Sequence, residues 1–101
     1  MILVHPAAAA EARAARIRYA KRDPAVARRF MDEYDRAIER VRDHPDRWPQ
    51  YPHLAGDFQW CRFRRFPYAI IYERFPTVTH VLAVAAVAAD QRRPGYWAKR
   101  K

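Results

Sequence analysis

CRFRRFPYAIIYERF, Cys61 to Phe75, is the stretch on which the reading of this chain turns. Its second half, Tyr68 to Tyr72 (YAIIY), is aromatic and β-branched, with apolar residues on both sides of a pleat, which is the composition of a central strand. Its first half sets Arg62, Arg64 and Arg65 just before Pro67, so the strand is entered from a positively charged hairpin. The next strand-like run, Thr77 to Ala89, follows a turn near Phe75 and Pro76. If the two runs pair antiparallel around that turn, Tyr72 faces roughly Val81 and Tyr68 roughly Ala85. The far end of the second run, with Gln91, Arg92 and Arg93 after it, then returns to the arginine turn. Two distant basic segments become one patch, and the function is expected there.

The run VLAVAAVAA, Val81 to Ala89, has no period of its own, and its alanines favour helix. The lead-in Thr77, Val78 and Thr79, together with the preceding YAIIY, favours strand. Upstream, Asp57 to Phe63 alternates as a strand, with Phe58, Trp60 and Arg62 on one side and Gln59, Cys61 and Phe63 on the other. A long connection precedes it, broken by Pro45, Pro49 and Pro52, and Trp48 and Tyr51 are expected to pin it onto the helices.

Two helices lie before that connection. Asp23 followed by Pro24 reads as an N-cap with proline at the first helical position. From there Ala27, Phe30, Met31, Tyr34, Ala37, Ile38 and Val41 recur at helical spacing, with Arg28, Arg29, Asp32, Glu33, Arg36 and Arg40 on the other side. The earlier helix, Ala7 to Lys21, is mostly Ala, Arg and Glu, and its stripe reads as Ala10, Ala14 and Ile17. So short a link forces the pair into an antiparallel hairpin. Ile2 to His5, closed by Pro6, is long enough only for a brief edge strand, and the element order is therefore β-α-α-β-β-β.

The 101 residues suit a single domain, residues 1–101, with one core. Lys and Arg number 20 against 11 Asp and Glu, a formal charge of +9, which calls for an acidic partner: nucleic acid, an anionic surface or an acidic protein segment. The single cysteine, Cys61, excludes an internal disulfide, and no Cys/His spacing suggests zinc, so no metal or other cofactor is expected and the cytoplasm is the simplest compartment. No apolar run approaches the roughly 20 residues of a membrane helix, and no secretion signal is visible.

The short first strand, the Ala/Arg helix, the Pro-Asp-Arg-Trp-Pro stretch from Pro45 to Pro49, RRFPYAIIYE from Arg64 to Glu73 and the closing RRPGYW from Arg92 to Trp97 together resemble the ParE/RelE superfamily of bacterial toxins, its ParE-like branch in particular. The resemblance implies an α+β fold in which a helical hairpin packs on one face of a curved, mainly antiparallel sheet. It also implies a type II toxin-antitoxin module of the kind tied to plasmid stabilisation, with an antitoxin that wraps the toxin. Members of the branch are described as blocking DNA gyrase, while the RelE-like branch cuts messenger RNA on the ribosome. Similar toxins often carry a histidine where this chain has Ala89, and basic residues where it has Gln59 and Trp60.

Chemistry separates the two activities. Cleavage by a 2′-hydroxyl needs a proton acceptor, a donor for the leaving oxygen and cations over the phosphate. A ribonuclease would draw these from Arg64, Arg92 and Tyr96, with Arg93 as a further cation. The general base is the missing piece, because arginine stays protonated and a phenol starts near pKa ~10. His80 lies on the order of 30 Å from Ala89 along its strand at about 3.3 Å per residue, and His5, His44 and His53 fall at element ends or in the proline loop. Binding asks less: Arg62, Arg64, Arg65, Arg92 and Arg93, with Tyr96 and Trp97 interleaved, can grip an acidic or aromatic surface. The packing alternative is that Arg92, Arg93, Lys99 and Arg100 are a solvated tail and that Tyr96 and Trp97 cover the core edge. The expected function is a gyrase-binding toxin neutralised by an acidic antitoxin segment. A ribosome-dependent endonuclease, a plain nucleic-acid-binding module and a non-toxic homologue that still binds antitoxin are the competing readings.

Overall fold

The computed structural model describes residues 1–88 and 95–100. Its elements are β1 (Ile2–Val4), α1 (Pro6–Arg22), α2 (Pro24–Asp43), β2 (Phe58–Arg62), β3 (Tyr68–Arg74) and β4 (Thr79–Ala86), the order and the α+β class expected from the sequence. The hairpin between the helices turns on Asp23. Its backbone N–H closes α1 on the Tyr19 carbonyl at 2.9 Å, and its Oδ1 accepts from the Ala25 N–H at 2.9 Å to open α2. Pro24 takes the first helical position, where a missing N–H costs nothing. His5 caps α1 in the same manner, its Nδ1 accepting from the Ala7 N–H at 3.0 Å.

On α2 the expected stripe is the buried one: Ala27, Phe30, Ala37 and Val41 are inside, with Met31, Tyr34 and Ile38 half-buried. Glu33 departs from its expected place on the solvent side and is 6 % exposed. On α1 the face is wrong by a rotation. Ala8, Ala12 and Ala15 are buried, whereas Ala10 and Ala14 are exposed and Ile17 is 46 % exposed. Alanines surround this helix, so the neighbour it packs on, and not its own pattern, selects the face.

The sheet runs β1-β4-β3-β2, with β1 parallel to β4 and the other two pairings antiparallel, so it is mixed and open. Tyr72 faces Val81 as expected, but Tyr68 faces Ala86 and not Ala85. The register jumps between Ile71, opposite Ala83, and Tyr72, opposite Val81, which leaves Leu82 as the extra residue of a bulge. The last strand begins at Thr79 and ends at Ala86, short of the expected Thr77 to Ala89, and Val87 and Ala88 turn helical. Ala89 lies outside the described residues.

Both faces of the sheet are covered, which accounts for the double-sided apolarity of YAIIY. The helical hairpin buries Cys61, Phe63, Tyr68, Ile70, Tyr72, Val81 and Val84. On the other face Trp60, Ala69, Ile71, Leu82, Ala83 and Ala85 pack with Tyr51 and Trp97. The proline loop therefore does not pin onto the helices as a unit. Trp48 stays on the helix side, its Nε1 donating to the Arg40 carbonyl at 3.3 Å, while Tyr51 reaches the opposite face. The loop runs along the outer edge of β2, with Tyr51 N donating to Phe58 O at 2.8 Å and Trp60 N to Pro49 O at 3.1 Å, so that it also covers that edge.

Candidate functional site

The arginine turn joins β2 to β3. Phe63 N donates to Tyr68 O at 2.9 Å and Tyr68 N to Phe66 O at 2.8 Å, closing the hairpin. Aromatic and basic residues alternate through it, and the aromatics go inward: Phe63 and Tyr68 are buried and Phe66 half-buried. Phe30 of α2 organises them, with ring centroids 5.6 Å from Phe63, 5.4 Å from Phe66 and 5.2 Å from Tyr68. Burying those rings leaves Arg62, Arg64 and Arg65 facing solvent. The Arg62 guanidinium lies 5.6 Å from the centre of the Trp60 ring.

Two further groups at this turn escaped the sequence reading. Glu33 extends its carboxylate from α2 so that Oε1 accepts from the backbone N–H groups of both Arg64, at 3.2 Å, and Arg65, at 3.1 Å. Arg18 of α1 donates from Nη2 to the Tyr68 hydroxyl at 2.7 Å and adds an exposed cation to the same end of the molecule. The signal available in the sequence was slight: Glu33 lies three residues after Phe30 and four before Ala37, spacings that return it to the buried stripe, and Arg18 stands beside Tyr19.

The chain leaving β4 reaches this end too, because Tyr68 faces Ala86 and the Val87 N–H donates to the Pro67 carbonyl at 2.9 Å. Arg92 and Arg93 lie outside the described residues. Tyr96 and Trp97 part company. Tyr96 is 39 % exposed and donates its hydroxyl proton to Glu11 Oε2 at 2.6 Å, with the Arg100 guanidinium 5.1 Å from its ring. Trp97 is fully buried, its ring 4.7 Å from Phe58 and 5.2 Å from Tyr51, so its indole serves packing and cannot touch a target in this conformation. Nor is Arg100 part of a solvated tail: it pairs with Glu11 at 2.9 Å and donates to the Leu82 carbonyl at 3.0 Å.

Each histidine has a place away from the turn. His5 caps α1, His44 ends α2, His53 packs edgewise on Tyr51 and Trp60, and His80 lies opposite Glu73, at the other end of the β3–β4 pair. Cys61 is 1 % exposed, and burial pushes its thiol up against a smaller opposing pull from Arg40, so it is a packed hydrophobe and not a nucleophile. What the described residues assemble is a set of guanidinium groups on a braced turn, an arrangement suited to gripping carboxylates, phosphates or aromatic rings.

A profile of the family described as "ParE toxin of type II toxin-antitoxin system, parDE" matches residues 2–91. The chain belongs to the ParE toxin family. Among solved structures it is similar to a chain of the chromosomal ParDE toxin-antitoxin system from P. aeruginosa, at a TM-score of 0.75 and 14 % identity, covering 85 % of this chain and 94 % of that one. At that identity the likeness is one of fold. No curated protein matches the sequence significantly. For a ParE family member the residues that the profile spans include both helices and the whole sheet, together with the arginine turn. Among the described residues no helix is long and apolar enough to cross a membrane.

Proposed function

We propose that this ParE family member stops DNA gyrase by protein contact, gripping it through Arg62, Arg64 and Arg65, with Arg18 beside them. The observation that carries the reading is the turn itself, in which three exposed arginines are held on a hairpin whose backbone is tied to a buried carboxylate. Side chains carried on a braced backbone bind at a smaller entropic cost than those on a mobile loop, and the grip needs no proton transfer. The antitoxin in this reading contributes an acidic segment that is drawn to the +9 chain. It adds a strand along the outer edge of β1, where Leu3 is 52 % exposed, or lays a helix beside the hairpin.

The test is a supercoiling assay with purified protein, gyrase and relaxed plasmid, run beside a primer-extension assay on ribosome-bound message. The expected result is arrest of supercoiling, its reversal by the product of the adjacent reading frame, and uncut message. Codon-linked cuts in the message with unimpeded supercoiling would replace this reading with an endonuclease.

A further inference from the structure

We infer that Glu33 is the positioning residue of the basic turn: its carboxylate, and not the turn's own sequence, holds Arg64 and Arg65 in the orientation that presents their side chains. The inference rests on the reading of that turn as the gripping element. Its physical basis is a charged group where a helix of this pattern would place an apolar one. Glu33 occupies the buried face of α2, within three residues of Phe30, and its side chain is 7 % exposed. A carboxylate so placed is costly unless its oxygens are satisfied. Oε1 meets that demand with two consecutive backbone N–H groups, the small concave anion site formed when successive amides point the same way. Oε2 lies 3.9 Å from Arg36 Nη1, a loose contact with a side chain that is 69 % exposed. The carboxylate is therefore committed to the turn.

The consequence runs both ways along the chain. Phe63, Phe66 and Tyr68 anchor the turn by burial of their side chains, whereas among the described residues it is the Glu33 pair of hydrogen bonds that acts directly on the backbone N–H groups of Arg64 and Arg65. Among the described residues neither the Arg64 nor the Arg65 side chain has an ion pair, so both remain available to a partner. The bond from Glu33 fixes their origin and leaves their guanidinium groups to the target.

Amide hydrogen exchange on the full chain, in wild type, Glu33→Gln and Glu33→Ala, tests this directly. In Glu33→Ala the Arg64 and Arg65 amides should exchange roughly tenfold faster or more, while the Ile70 and Val84 amides stay within about threefold. Glu33→Gln retains a carbonyl acceptor and should restore most of that protection. It also serves as the reporter should the alanine variant fold poorly, in which case its two turn amides must stay within about threefold of wild type. Unchanged exchange at both arginines in Glu33→Ala, or acceleration spread evenly over the sheet, overturns the inference. Gyrase inhibition is measured on the same proteins and on Arg64→Ala/Arg65→Ala. Loss of inhibition in Glu33→Ala with recovery in Glu33→Gln supports positioning, and full inhibition by Glu33→Ala opposes it. If the double arginine variant inhibits as well as wild type, the gripping role of the turn fails, and the exchange data still decide what Glu33 does to its backbone.

Discussion

Replacing Glu11 by alanine removes the acceptor for donors on three different residues. Oε1 takes the Val84 N–H at 3.0 Å and Arg100 Nη1 at 2.9 Å, and Oε2 takes the Tyr96 hydroxyl at 2.6 Å and Arg100 Nη2 at 3.2 Å. Val84 is 2 % exposed, so its orphaned amide costs about 1–3 kcal/mol. The ion pair with Arg100, whose side chains are 21 % and 23 % exposed, is worth about 0.5–1 kcal/mol after screening. With the tyrosine bond the sum is about 3 kcal/mol, against a total stability on the order of 5–15 kcal/mol. For a chain of this length that lowers Tm by on the order of 15 °C. Urea unfolding of Glu11→Ala and Arg100→Ala separates the contributions, because the arginine variant leaves Val84 satisfied and should lose only about 1 kcal/mol. Equal losses in the two variants, within about 0.5 kcal/mol, would refute the reasoning that the carboxylate completes the open edge of β4 where β1 stops.

Asp23→Ala should lower stability by about 1 kcal/mol in the same urea titration, since it removes the oxygen that receives the Ala25 N–H. Gly95→Ala should be worse than a surface change of that size: Gly95 has φ +77°, and an added Cβ would meet Leu54 Cδ2 at 2.6 Å. Near-ultraviolet circular dichroism, which reports the packing of the buried aromatic residues together, Trp97 among them, should weaken with it, and an unaltered spectrum and Tm would oppose this. Burial raises the proton affinity of both the Cys61 thiol and the Tyr72 phenol, so the folded state holds those protons more tightly than the unfolded state does. Their contribution is complete below pH ~8.5 and is lost as pH climbs past the ordinary thiol and phenol values of about 8.5 and 10. Urea midpoints should therefore be flat from pH 7 to 8 and fall by pH 10.5; a midpoint that rises over that range contradicts the sign. Cys61 should resist a thiol reagent in the native protein at pH 8 and react once urea unfolds it, and rapid native labelling would show that it is not enclosed.

The sequence alone determined the elements and much of their joining. Asp23-Pro24 both stops one helix and starts the next, the spacing of Phe30, Ala37 and Val41 marks a buried stripe, and Phe75-Pro76 turns one strand back on another. These are local signals, carried by caps, turn residues and periodicity within a few residues of one another. The arginine turn was legible for the same reason, since alternating aromatic and basic residues sort themselves by burial. Only the tertiary structure decided which alanines of α1 are inside, that Tyr51 and Trp97 meet on the sheet's second face, and that Leu82 bulges and shifts Tyr68 by one partner. It alone decided the fate of Glu33 and Glu11, two carboxylates with the look of solvated helix residues. Their oxygens answer backbone amides 31 to 73 residues away in the chain, and a demand that distant cannot be read from any window of neighbouring residues.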